Sequence, residues 1–160
     1  MNSIFEHVVE VRDSDIDVLG HVNNVVYVQW MQNAAYAHSA ALGWTLERYM
    51  ELGAGWVARM HQIEYLQPAF SGQKVIIKTW VADMKKVTST RRYRMLRMDP
   101  PLADALGVVD PMAPLRETLI AVAHTNWAFI DFKKGTPQRI PAMMAADFPL
   151  IIDSQQGGSL

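Results

Sequence analysis

Residues 12–27 read R-D-S-D-I-D-V-L-G-H-V-N-N-V-V-Y, placing three acidic residues at alternate positions, a glycine, a histidine and two asparagines directly before a long apolar helical pattern. A carboxylate can attack a carbonyl carbon or activate a water that does. The first turn of a helix offers free N–H groups and the positive end of the helix dipole, which stabilise developing negative charge. Polar residues delivered to the start of a buried helix therefore have the makings of a reaction centre. The spacing of Asp13, Asp15 and Asp17 also suggests a calcium loop. Such a loop needs glycine at its sixth position and glutamate at its twelfth, where this chain has Val18 and Asn24. No metal site is expected. Asn23 or Asn24 suits a helix cap, a common task for asparagine that leaves Asp17, Gly20 and His21 unexplained.

The elements that position this segment follow from periodicity. Phe5, His7, Val9 and Val11 alternate with Glu6, Glu10 and Arg12, giving a strand with one wet face that Val8 interrupts. Over 24–42 the period becomes helical, with Tyr27, Trp30, Met31, Ala34, Ala35, His38, Ala41 and Leu42 on one stripe. This span carries no Asp, Glu, Lys or Arg, so other structure is expected to wrap it on most sides. Gly43 is placed to end the helix, and Thr45 to cap a short second one reaching Gly53. Residues 56–66, 73–83, 87–98 and 117–132 then read as strands. The connection 99–116 holds Pro100, Pro101, Pro111 and Pro114 and reads as a loop excursion, while 141–146 suits one helical turn. Five antiparallel strands curled around one long central helix satisfy both the uncharged helix and the run of strands, an α+β arrangement. One domain over 1–153 is expected, with 154–160 a flexible tail.

Composition narrows the classes of function. Half of the 160 residues are hydrophobic and the formal net charge is −1, which calls for neither nucleic acid nor an anionic membrane. The absence of cysteine excludes disulfides, thiolate metal sites and cysteine nucleophiles. The first residues lack a basic stretch followed by an apolar run, and no segment approaches the roughly 20 apolar residues of a membrane span. A cytoplasmic protein is the expectation.

The segment D-x-D-x-x-G-H-V-N-N-x-x-Y, residues 15–27, resembles the active-site signature of hotdog-fold acyl thioesterases. The likeness is to the 4-hydroxybenzoyl-CoA thioesterase-like branch, and around H-V-N-N also to acyl-carrier-protein thioesterases. P-A-F-S-G (68–72) and G-x-P-x-x-I-P (135–141) are similar to family segments as well. The resemblance implies the hotdog fold and hydrolysis of an acyl-CoA or acyl-carrier-protein thioester to a free acid and a thiol. On the matching positions, Asp17 is the carboxylate that acts as nucleophile or general base. The Asn24 backbone N–H receives the thioester oxygen, Gly20 lets the chain pass close to substrate, and His21 and Asn23 support the loop. No cofactor is implied beyond the CoA moiety of the substrate. The fold's sites form between subunits, which implies a homodimer or a tetramer of dimers.

Tyr27, Trp30, Met31, Trp56, Met60 and Trp127 are candidates to line an acyl pocket, with at least half of them expected to be core only. Ten methionines suit an interior that repacks around different chains. Arg91 and Arg92, within the basic run Lys85, Lys86, Arg91, Arg92, Arg94 and Arg97, are candidates for the CoA phosphates. A solvated strand edge guarded by charge explains the same run. The sequence departs from family branches that place an aromatic pair after the glycine, and from those with a glutamate on the central helix. Two alternatives stay open: an enoyl-thioester hydratase or dehydratase on the same fold, and a non-catalytic acyl-CoA-binding module.

Overall fold

In the computed structural model, which describes residues 4–152, the helical stripe and the alternating strands meet face to face. The elements are β1 (Phe5–Glu10), α1 (Asn24–Ala41), α2 (Leu46–Leu52), β2 (Ala54–Tyr65), β3 (Lys74–Met84), β4 (Thr88–Asp99), β5 (Arg116–Asp131) and α3 (Ala142–Asp147). The pairings among the five strands are all antiparallel, and the strands lie in the order β1-β3-β4-β5-β2. This is the α+β hotdog arrangement, a curled sheet around the long helix α1. The tail expected at 154–160 lies outside the described residues.

Helix α1 buries Tyr27, Trp30, Met31, Ala34, Ala35, His38 and Ser39. Tyr27, Trp30, Met31 and Ala34 form one core cluster with Val75 and Ile77 of β3, Tyr93 and Met95 of β4, and Ala121 and Ala123 of β5. A second cluster joins Trp44, Ala54, Val81, Phe129, Ile140, Met144 and Phe148 beyond the C-terminal half of the helix. Thr45 accepts a hydrogen bond from the Arg48 N–H at 3.3 Å to start α2. Gly53, at φ +74°, ends it in the left-handed conformation that favours glycine.

Two expectations require correction. The sheet of this chain covers one side of α1 only, leaving Val25 at 72 % and Tyr36 at 59 % exposure on the other. The basic run is not a strand edge, because β4 is the central strand. Side chains alternate across a strand, so Arg91 is buried on the inner face, Arg92 is half-buried and Arg94 exposed on the outer face. Arg97 is occupied in an ion pair, its Nε and Nη2 donating to Asp99 Oδ1 and Oδ2 at 2.7 and 2.9 Å. That pairing holds the Asp99 carboxyl below its ordinary range. The true edges are β1 and β2, and β2 presents a 12-residue strand paired on one side only.

Met31 is fully buried in the first cluster. Met31→Ala is expected to lose about 2–5 kcal/mol of stability, measured as a lower midpoint in urea unfolding with the slope unchanged.

Candidate active site

The segment before α1 is a closed loop, and each of its acidic residues has a different task. Asp15 is buried and spends both oxygens on Arg12, accepting from the backbone N–H at 2.9 Å and from Nη2 at 3.3 Å. Asp13 Oδ1 accepts from the Ser71 hydroxyl. Asp17 stands at the base of a turn closed by an Ile16–Val22 bridge. Its N–H donates to the His21 carbonyl and its own carbonyl accepts from Gly20 N–H, both at 3.0 Å. Asp17 Oδ1 accepts from Leu19 N–H at 2.8 Å. No hydrogen-bond partner of Asp17 Oδ2 is found among the described residues. Gly20 adopts φ +87°, which a side chain at this position would strain.

The loop is docked by its backbone. Val22 N–H donates to the Ala69 carbonyl and Asn23 N–H to the Asp15 carbonyl, each at 2.9 Å. The Pro68 carbonyl behind this turn is itself held by Arg97 Nη1 at 2.5 Å. Asn23 is the helix cap, its side chain accepting from Val25 N–H at 3.1 Å. Asn24 opens α1, and its carbonyl accepts from the Tyr65 hydroxyl at 3.0 Å. No partner of the Asn24 N–H is found among the described residues. A free N–H at a helix start, on the same short loop as a carboxylate with an uncommitted oxygen, suits acyl chemistry.

A cavity of about 520 Å³ lies elsewhere, between the C-terminal half of α1 and the sheet. Ala35, Tyr36 and Ser39 of α1 line it with Trp44, Tyr49, Trp56, Val81, Ser89, Arg91, Trp127, Phe132 and Phe148, among others. Ala35 and Ser39 lie about 16–22 Å along the helix from Asn24. Within one chain, then, the loop and the cavity are at different ends of α1.

The residues singled out from the sequence sort accordingly. Asp17, Gly20, His21, Asn23 and Asn24 share the loop. Tyr27, Trp30 and Met31 are core residues, with Tyr27 packed edge-on against Tyr65. Met60 sits at a bulge of the edge strand β2, exposed and away from the cavity. Trp56, Trp127 and Arg91 line the cavity. Arg91 as a contact for CoA phosphates is corrected by its 5 % exposure, since a phosphate at the surface cannot reach it. Arg92, on the opposite face, does not line the cavity. Sequence reasoning missed Ser39, Trp44, Tyr49 and Phe148. Among the described residues no group of three or more acidic or histidine side chains could hold a metal, and no helix is long and apolar enough to cross a membrane.

Arg91 Nη1 meets His38 Nδ1 at 2.8 Å and donates to Thr79 Oγ1 at 3.1 Å. A guanidinium only donates, so His38 Nδ1 is the acceptor and its ring carries the proton on Nε2. Burial, assisted by the Arg91 charge, pushes the His38 pKa from 6.5 down to about 4. The unfolded chain therefore binds this proton more readily than the folded one. The stability due to neutral His38 is fully present above pH 6.5 and is lost as pH falls toward 4. His38→Gln keeps an acceptor that does not titrate. It is expected to flatten the pH dependence of unfolding free energy by about 3 kcal/mol over that window, measured by denaturant titration of both proteins.

Residues 11–148 match the Thioesterase-like superfamily. The acyl-acyl carrier protein thioesterase ATL3, chloroplastic, of Arabidopsis thaliana is 26 % identical over 82 residues, which is 51 % of this chain and 43 % of that protein. This chain thus matches less than half the length of that relative. In fold it is similar to a DHNA-CoA thioesterase from Staphylococcus aureus, with TM-score 0.69, 19 % identity and coverage of 85 % of this chain and 80 % of that one. It is also similar to Slr0204, a 1,4-dihydroxy-2-naphthoyl-CoA thioesterase from Synechocystis, with TM-score 0.70, 16 % identity and coverage of 90 % and 94 %. With the match running from the end of the first strand to the last helix, the chain belongs to the Thioesterase-like superfamily.

Proposed function

We propose that this protein hydrolyses acyl-CoA thioesters, with acyl-carrier-protein thioesters as the related alternative, in the cytoplasm. The observation that carries this reading is the pairing of an unpartnered Asn24 N–H at the start of α1 with Asp17 on the same loop. The thioester oxygen accepts from the Asn24 N–H, and the free Oδ2 of Asp17 either attacks the carbonyl carbon or takes a proton from the water that attacks. As the carbonyl becomes tetrahedral its oxygen gains charge, which the fixed N–H and the helix dipole stabilise more than the ground state. Collapse of that intermediate breaks the C–S bond and releases a thiolate, which takes its proton from Asp17 on the water route or from solvent on the attack route. On the attack route water then hydrolyses the mixed anhydride left on Asp17, freeing the acid and restoring the carboxylate. His21 and Asn23 hold the loop and do not enter the proton transfers.

Asp17→Asn is a sharp test, because asparagine keeps the Oδ1 acceptor for Leu19 N–H and loses only the charge. Thiol release from a panel of short, long, branched and aromatic acyl-CoAs is expected to fall by orders of magnitude in the variant, with its circular dichroism and melting temperature unchanged. Turnover retained by Asp17→Asn would remove Asp17 from the chemistry. Acyl-CoA binding without thiol release from any member would turn the reading to a binding module or a lyase.

The separation of loop and cavity supports a homodimer as the working unit. The start of β2 lines the cavity at Gly55 and Trp56, and its end reaches the loop through Tyr65. A long one-sided edge strand is a template for another strand. Antiparallel pairing of two β2 edges about a two-fold axis lays the end of one strand beside the start of the other. The Asn24 N–H of one subunit then serves the cavity of its partner. Mixing Asp17→Asn with a cavity-filling variant, Ala35→Phe, tests this arrangement. Each is inactive alone, and a re-equilibrated mixture is expected to regain about a quarter of wild-type activity, one intact site in each heterodimer. A site contained within one chain gives no recovery.

A further inference from the structure

Among the described residues Arg91 has no carboxylate partner. Its Nη1 is used by His38 and Thr79, and no hydrogen bond of Nε or Nη2 and no ion pair of this guanidinium is found among the described residues. Arginine stays charged when buried, and an isolated buried charge is among the most costly features a fold can carry. Electrostatic support from within is slight, since the groups acting on Arg91 are the neutral phenols Tyr93 and Tyr49. A buried cation in this condition is half of an interaction.

The hydrogen inventory of the cavity wall gives the other half. Ser39 donates its only hydroxyl hydrogen to the Trp44 carbonyl at 2.8 Å, so Tyr49 must donate to Ser39 across their 2.7 Å contact. Ser89 donates to the Asp83 carbonyl at 2.8 Å. Among the described residues the buried Trp127 Nε1 makes no hydrogen bond of good geometry, and neither does the Tyr93 hydroxyl near it. Among the described residues that line the cavity, the Arg91 guanidinium is the charged donor with hydrogens left without an acceptor, the Trp127 indole is a buried neutral one, and no acidic residue is present. The remaining wall is apolar and largely aromatic, with Trp44, Trp56, Phe132 and Phe148. Aromatic faces alone would also attract a cation, but the fixed guanidinium charge opposes one.

We propose that the cavity receives an acyl group whose far end carries a carboxylate, and that Arg91, with Trp127 beside it, determines this specificity. The proposal rests on the reading of the chain as a thioester hydrolase. The aromatic walls enclose the hydrocarbon of the acyl group, and the carboxylate accepts from the free guanidinium hydrogens and the indole N–H. A methyl-ended chain of equal length leaves those donors unpaired, which is the penalty that separates the two substrates.

The test compares octanoyl-CoA with the mono-CoA thioester of octanedioic acid, alongside calorimetric titration with uncharged octanamide and octanedioate. Wild-type protein is expected to favour the carboxyl-ended thioester in kcat/KM by about tenfold or more, and to bind octanedioate over octanamide. Arg91→Met is expected to abolish or reverse both preferences, and Arg91→Lys to keep a reduced one. Should Arg91→Met fail to fold, Trp127→Phe keeps the ring, loses the donor, and is expected to lower the preference severalfold. Equal or better use of octanoyl-CoA by the wild type, or a preference that survives Arg91→Met, overturns the proposal. Octanedioate binding that depends on Arg91 without thiol release from either thioester sinks the hydrolase reading and leaves the cavity assignment standing. Absence of both octanedioate binding and carboxyl-selective hydrolysis removes the cavity assignment.

Discussion

Helix α1 shares one core cluster with the inner face of the sheet through Trp30, Met31 and Ala34, and this contact fixes where each end of the helix can lie. Each large side chain removed from water there contributes about 1.5–3 kcal/mol. Small residues at Ala34 and Ala35 let the backbone approach the strands, and both are buried. With the helix seated, its first N–H falls on the docked loop and its last turns roof the aromatic cavity. The position of the loop's free N–H and the space of the cavity are therefore consequences of one packing event. They are set at opposite ends of the same rigid rod.

The sheet side of that packing is not uniformly apolar. Thr79, Arg91 and Thr125, on three neighbouring strands, form a polar seam that faces His38 of α1 and separates the two apolar clusters. Thr79 donates to the Arg92 carbonyl while accepting from Arg91, and Thr125 meets His61 Nδ1 at 2.8 Å. Stability alone does not explain such a seam. Well-packed apolar side chains in place of a buried charge are often neutral or stabilising. The seam makes physical sense as a recognition surface whose partner arrives with the ligand.

Much of this was legible in the residues. The strand alternation, the stripe on α1, the Thr45 and Gly53 signals and the placement of Asn24 at the helix start follow from local rules. Asp15 and Asp17 look alike in sequence, and only the fold separates them, one buried against Arg12 and the other on the turn with an oxygen to spare. Arg91 was readable in principle, being in phase with Tyr93 and Met95 on β4. A run of like charges hid that parity, since a buried, unpaired arginine contradicts the usual economy of cores. The cavity was not legible, because Phe132, Phe148 and Trp44 converge on it from distant parts of the chain. The open face of α1 was missed for a related reason: an uncharged helix signals burial without saying whose surface covers it.

The loop before α1 is secured mainly by main-chain hydrogen bonds, Val22 to Ala69, Asn23 to Asp15 and Asp17 to His21, whereas the cavity is defined by side chains. Main-chain bonds survive most changes of residue type; walls made of side chains do not. Wall residues on this backbone can therefore be exchanged, reshaping the cavity while the loop stays unaltered. Loop and wall are written in different parts of the polypeptide and are free to drift at different speeds.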